Sequence, residues 1–171
     1  VRRTSVLLAA VAVATLTGTV LTSCAGSDPA QDQAQALVSF GGPSGWAADT
    51  VAAQPTDDTT DTTVDGVPVT MTAGDQPAGV QVRWVAPLTG SATDAACADL
   101  VAWFEHATRE WPSTIDTSNM ATTCADDAAK TGDPVIAAGA GPAHGAYGRV
   151  TYEASVESGE LVATLEFNAR A

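Results

Sequence analysis

Two stretches near the C-terminus constrain the fold more than any other feature of the chain. Val150, Tyr152, Ala154 and Val156 alternate with Arg149, Thr151, Glu153 and Ser155, and Leu161, Ala163, Leu165 and Phe167 alternate with Val162, Thr164, Glu166 and Asn168. Side chains of a strand point to opposite faces in turn, so each stretch reads as a strand with one apolar and one polar face. If Ser158-Gly159 is a two-residue hairpin turn, Val156 faces Leu161, Ala154 faces Ala163, Tyr152 faces Leu165 and Val150 faces Phe167. Every apolar side chain then meets an apolar partner on one sheet face, and a slip of one residue destroys the match.

Something must cover that face. About Thr93 to Trp111 reads as a long helix on which Cys97, Leu100, Val101, Phe104, Thr108 and Trp111 share one side, widened by Ala96, Trp103 and Ala107. Asp94 suits its first turn, and Pro112 stops it. Val67, Val69 and Met71 alternate with Pro68, Thr70 and Thr72 as an edge strand, and Val80, Val82 and Trp84 mark a second strand after a Gly, Asp and Pro turn at 73–79. A short second helix is expected within Ser118 to Lys130. The assembled expectation is an α+β fold: an antiparallel sheet of about four strands with one long amphipathic helix packed on one face, closed by one disulfide.

The N-terminal part reads differently. Arg2 and Arg3 precede an apolar run from Val6 to Val20, and Leu21-Thr22-Ser23-Cys24 follows. Charged, apolar and small-residue zones in that order form a secretory signal. The run is barely long enough to span a bilayer, and no basic stop-transfer residues follow Cys24. Leu-Thr-Ser-Cys resembles the lipobox of bacterial lipoproteins, and with Val1 read as a GTG start codon and the Ala, Asp and Thr bias it resembles those of high-GC Gram-positive bacteria. The resemblance covers Val1 to Cys24 only. It implies removal of residues 1–23, acylation of Cys24, and residence at the extracytoplasmic face of the cell membrane.

On that reading 24–36 is the lipidated cysteine with a flexible tether, and 37–171 is a single α+β domain. Leu37, Val38 and Phe40 make a small apolar cluster, read as a short strand or a piece docked on the core together with Trp46. Asp49 to Asp65, rich in Asp and Thr, is expected to be a mobile acidic loop. It lacks the oxygen spacing, central glycine and closing Glu of an EF-hand, so no metal site is assigned to it.

Removing the leader leaves five basic residues against twenty acidic ones, a net charge of −15. Nucleic acid is thereby excluded as a partner, and the only membrane contact expected is through the acyl chains. With Cys24 taken by lipid, Cys97 and Cys124 are left as a pair. In an exported protein they are expected to form a disulfide around 26 intervening residues, worth about 3–4 kcal/mol.

No catalytic pattern stands out. Gly139-Ala140-Gly141-Pro142-Ala143-His144-Gly145 matches neither phosphate-loop spacing and leads toward a strand, so it reads as a flexible approach to Tyr147. Gly42-Pro43-Ser44-Gly45-Trp46 lacks the glycine of a nucleophile elbow. His106 lies opposite the helix's core face, four residues before Glu110, as a solvated pair would. No two of the twenty acids are singled out as a glycosidase pair, and Trp84, Trp103 and Trp111 read as core. No cofactor is expected.

The function expected is non-enzymatic: a binding or accessory module of the cell envelope, with a protein, glycan or lipid partner. The candidate surface lies where helix ends meet the sheet, near Trp46, Trp111 and His144. A carrier of an apolar molecule would need a pocket lined by Trp84, Trp103, Phe104 and Phe167. An envelope hydrolase would need a cleft joining His144 to carboxylates of shifted pKa.

Overall fold

A computed structural model describes residues 29–49, 59–72, 79–130, 132–143 and 148–168. The leader with Cys24, residues 50–58 of the acidic stretch, and His144 with Tyr147 lie outside the described residues. Ten elements follow one another: α1 (Pro29–Phe40), β1 (Ala47–Asp49), β2 (Thr59–Val64), β3 (Val67–Thr72), β4 (Gly79–Pro87), α2 (Ser91–Glu110), α3 (Met120–Ala128), β5 (Val135–Pro142), β6 (Arg149–Glu157) and β7 (Glu160–Asn168). The strands form one antiparallel sheet in the order β2-β3-β4-β7-β6-β5, and β1 pairs with β4 beyond the end of the β3 ladder. The α+β class, the antiparallel sheet and the disulfide are as expected, but among the described residues the sheet has seven strands where about four were expected, and three helices accompany it.

The β6–β7 hairpin has the register its alternation requires. Val156 pairs with Leu161, Ala154 with Ala163, Tyr152 with Leu165 and Val150 with Phe167. Ser158 and Gly159 both take positive φ, 52° and 84°, which is the mirror-image turn whose twist matches the strands. On the face shared by these pairs lie Val80, Val82 and Trp84 of β4 and, from α2, Cys97, Leu100, Phe104 and Ala107, all buried. Cys97 is bonded to Cys124 of α3, with Cα atoms 5.7 Å apart, so the disulfide ties α3 to α2.

Three of the additional elements correct particular expectations. Residues 29–36, read as flexible tether, belong to α1, whose Ala34 and Leu37 are fully buried; the Leu37–Phe40 cluster is helical, not a strand. Of the stretch Asp49 to Asp65, expected to be a mobile loop, Thr59–Val64 is a strand, and Asp49 ends the strand Ala47–Asp49. Threonine is β-branched and fits a pleated edge, and Asp65-Gly66, at φ 49° and 83°, makes the same mirror-image turn as Ser158-Gly159. Asp61 accepts a hydrogen bond from Thr70 Oγ1 across this hairpin at 2.8 Å. The edge of the sheet is therefore β2, not β3. Pro68 is tolerated in β3 because the β3–β4 ladder runs only over Thr70–Thr72, so its missing N–H removes no rung there.

Of the glycine-rich stretch expected as a flexible approach, residues 139–142 belong to β5, and residues 144–145 lie outside the described residues. The glycines of β5 answer close contacts: a Cβ at Gly139 would collide with Ile115 Cδ1 and the Tyr152 ring, and one at Gly141 would lie 2.7 Å from the Trp111 carbonyl carbon. The chain that leaves α2 crosses the inner face of β5 at these two positions, and only glycine leaves it room.

Candidate functional site

A cavity of about 330 Å³ opens between α1 and the C-terminal end of α2. Leu37 and Phe40 of α1 and Trp111 at the end of α2 contribute its apolar lining, and Gln33, His106 and Glu110 its polar part. Each wall has a local cause. Gly41, at φ 80°, ends α1 and donates its N–H to the Leu37 carbonyl at 3.3 Å, and its own carbonyl accepts from Trp103 Nε1 at 2.8 Å. That bond fixes where α1 stops against α2. At the other wall the Trp111 N–H donates to the Ala107 carbonyl at 2.7 Å, and Pro112 cannot continue the helix. The buried Tyr152 hydroxyl donates to the Trp111 carbonyl at 3.0 Å and lies 2.6 Å from Ser113 Oγ, so the sheet itself holds the end of α2.

The Phe40 ring is the centre of this arrangement. It stacks on the His106 imidazole with centroids 4.4 Å apart and an interplanar angle of 19°, and it meets Trp111 at 4.6 Å. His106 is an exposed residue of α2, and α1, which the sequence reading did not include as a helix, supplies a ring against it. An aromatic lining with an imidazole and a carboxylate at its rim offers stacking, hydrogen bonding and an anionic group within one small volume.

The second polar concavity, of about 200 Å³, lies on the other face of the sheet among Arg83, Glu153, Glu157, Thr164 and Glu166. Arg83 is 7% exposed, donates to Glu157 Oε2 at 2.8 Å, and has its Nε 3.4 Å from Asp49 Oδ2. Ser155 Oγ donates to the other Glu157 oxygen at 2.9 Å. The register puts Val162 in the middle of the Arg83–Glu157 span, and Val162 is only 2% exposed. Arg83 therefore acts as a strut across three strands, covering an apolar residue with its own stem. Burial and the neighbouring Glu153 hold the Glu166 carboxyl above its ordinary range. Among the described residues, no three His, Cys, Asp or Glu are grouped so as to hold a metal ion.

Of the residues singled out from sequence, Trp111 lines the α1–α2 groove, though it is only 5% exposed. Trp46 is half-buried, does not line that groove, and has its Nε1 buried without a hydrogen-bond partner among the described residues. His144 and Cys24 lie outside the described residues. Trp84, Trp103 and Phe104 form a run of edge-on ring contacts, 6.3 and 5.3 Å between centroids, that continues to Tyr152 at 5.7 Å. Phe40 is the functional candidate that sequence reasoning placed only as part of a docking cluster. Its signal was the spacing of Gln33, Leu37 and Phe40, one side of a helix whose polar residues conceal it. Compared with family models, curated proteins and solved structures, the chain matches none significantly.

Proposed function

We propose that this chain is a lipid-anchored protein of the cell envelope, held by acyl chains on Cys24, and that its folded part binds a ligand in the α1–α2 groove without transforming it. The observation that carries this reading is the placement of the groove: one of its two walls is the first described helix after the lipobox-like cysteine. Pro29 follows Cys24 by five positions in sequence, at most about 17 Å of extended chain. On this reading α1 stands close to the headgroups. The ligand class that suits the groove is a small amphipathic molecule, with an apolar or ring portion for Phe40 and Trp111 and a hydrogen-bonding or cationic group for His106 and Glu110. No helix among the described residues is long and apolar enough to cross a membrane.

The experiment has two arms in the native host. Cys24→Ala is expected to abolish palmitate labelling and release the protein from membranes; unchanged labelling would sink the anchor. Ala36→Trp places a large ring in the groove from an exposed helix position. It is expected to strip the co-purifying small molecule from detergent-solubilised protein, read by mass spectrometry, with the fold unchanged by circular dichroism. An identical set of bound molecules in both proteins would remove the groove as the site.

A further inference from the structure

The free edge of β5 has an unusual combination of properties. The Ala143 N–H donates to the Gly148 carbonyl at 3.0 Å, which makes that pair a hydrogen-bonded one in the β5–β6 ladder. Hydrogen-bonded pairs recur every second residue in an antiparallel ladder, so Gly141–Val150, Gly139–Tyr152 and Ala137–Ala154 are of the same kind. Ala138, Ala140 and Pro142 consequently turn their backbone groups away from β6. Pro142 fits such a position, because it has no N–H to offer. No backbone or side-chain group among the described residues bonds to the outward N–H and C=O of Ala138 and Ala140.

Edge strands are ordinarily guarded by charge, and β2, the opposite edge, carries Asp61. β5 reads Val-Ile-Ala-Ala-Gly-Ala-Gly-Pro and carries no charge at all. A register shift between Val135 and Ala137 and the terminal Pro142 disturb its two ends and leave the middle open. At one of those ends Val135 is 57% exposed, the only large hydrophobic so exposed among the described residues.

From these observations we infer that the β5 edge is an interaction surface that accepts an extended segment of another protein as an eighth strand, and that the segment carries a basic residue opposite Ala138. The outward-bonding residues Ala138 and Ala140 project toward the polar face of the sheet, beside their cross-strand partners Glu153 and Thr151. A side chain of the added strand opposite Ala138 would start two strand spacings from Glu153, about 9.6 Å. The methyl group of Ala138 leaves that line open, and a Lys or Arg side chain together with that of Glu153 closes the distance. Glu166, diagonal to Glu153 on β7, is already held above its ordinary range by burial and by Glu153, so a cation brought here relieves an existing repulsion. Arg149, beside Pro142, marks the end of the edge where a basic residue is not accommodated. A second copy of the chain fits poorly, since each carries a net charge of −13 before any processing. Main-chain bonding with side-chain selection at alternate positions is the usual logic of strand addition.

The test uses the whole protein in detergent micelles and an end-blocked peptide of Val and Thr with a single Lys placed to lie opposite Ala138. Binding is expected to slow amide exchange at Ala138 and Ala140, and to weaken at least tenfold when the peptide is N-methylated on the side that faces β5. Ala138→Pro removes one outward N–H at a position where proline is tolerated, and should weaken binding to a similar degree; Glu153→Gln should weaken it several-fold and flatten its salt dependence. Binding without protection at Ala138 and Ala140, or equal binding of the N-methylated peptide, would show simple adhesion to an acidic protein and overturn the inference. Self-association that protects the same amides in the absence of peptide would overturn it in favour of a second copy. Should Ala138→Pro fail to fold, the exchange pattern and the N-methylated peptide decide alone.

Discussion

At the scale of single residues, position in the sheet decides what a side chain costs. Glu166 is half-buried on the polar face, diagonal to Glu153, and its raised pKa means that the folded state binds its proton more tightly than the unfolded chain does. Its contribution to stability is therefore favourable at low pH and is lost as pH rises through the folded-state value. Glu166→Gln is expected to stabilise the protein at neutral pH by about 0.2–1 kcal/mol, the size of a cross-strand charge effect. Urea denaturation at neutral and acidic pH would check this, with the gain shrinking on the acid side; a gain equal at both would mean that ionisation is not the cause. Gly139 and Gly141 make the complementary point. Their spacing resembled a loop because glycine and alanine show no alternation, while their reason, the passage of Ile115 and the Trp111 backbone over β5, lies in contacts more than twenty residues away in sequence. No local reading of the chain contains that information.

Elements were legible in proportion to how far their own residues determine them. The β6–β7 hairpin and α2 were readable because period-2 and period-3.6 patterns run through nearly every position. The β2–β3 hairpin carried an equally local signal, Asp65-Gly66 between two valines, which the abundance of Asp and Thr around it masked. α1 was obscured because its buried side consists of little more than Ala34 and Leu37, with glutamines on either flank. The α1–α2 groove was therefore only half legible: Trp111 stood out as an aromatic at a helix end, but the opposite wall was divided between a segment read as tether, with Gln33 and Ala36, and an apolar cluster, with Leu37 and Phe40, that was not read as a helix. The disulfide is an element-scale device, since it joins α2 to a short α3 that buries only Met120, Cys124 and Asp127. Replacing both Cys97 and Cys124 by Ser is expected to cost about 2–4 kcal/mol in chemical denaturation. A loss below 0.5 kcal/mol, in about the range of ordinary surface changes, would show that α3 is held without it.

For the molecule as a whole, the question is how many cooperative units the chain contains. Leu37 is fully buried beneath the same sheet face as α2, and Gln35 Nε2 donates to Asp65 Oδ2 at 2.6 Å, tying α1 to the β2–β3 turn. Leu37→Ala should then lower global stability by about 2–5 kcal/mol, as a core truncation does, within one calorimetric transition. A small early transition with the main one unmoved would make α1 a separate appendage. Sheet order carries a further consequence, one of timing. β7 lies at the centre of the sheet, laddered to β4 on one side and β6 on the other, although residues 160–168 come after every other described strand in the chain. β4 and its helices must wait some eighty residues for the strand that completes their core, so a chain delivered from its N-terminus cannot finish folding until Glu160–Asn168 has emerged. The core thus stays open along the inner edge of β4 until the last described strand docks, and closure of the sheet falls to the end of synthesis.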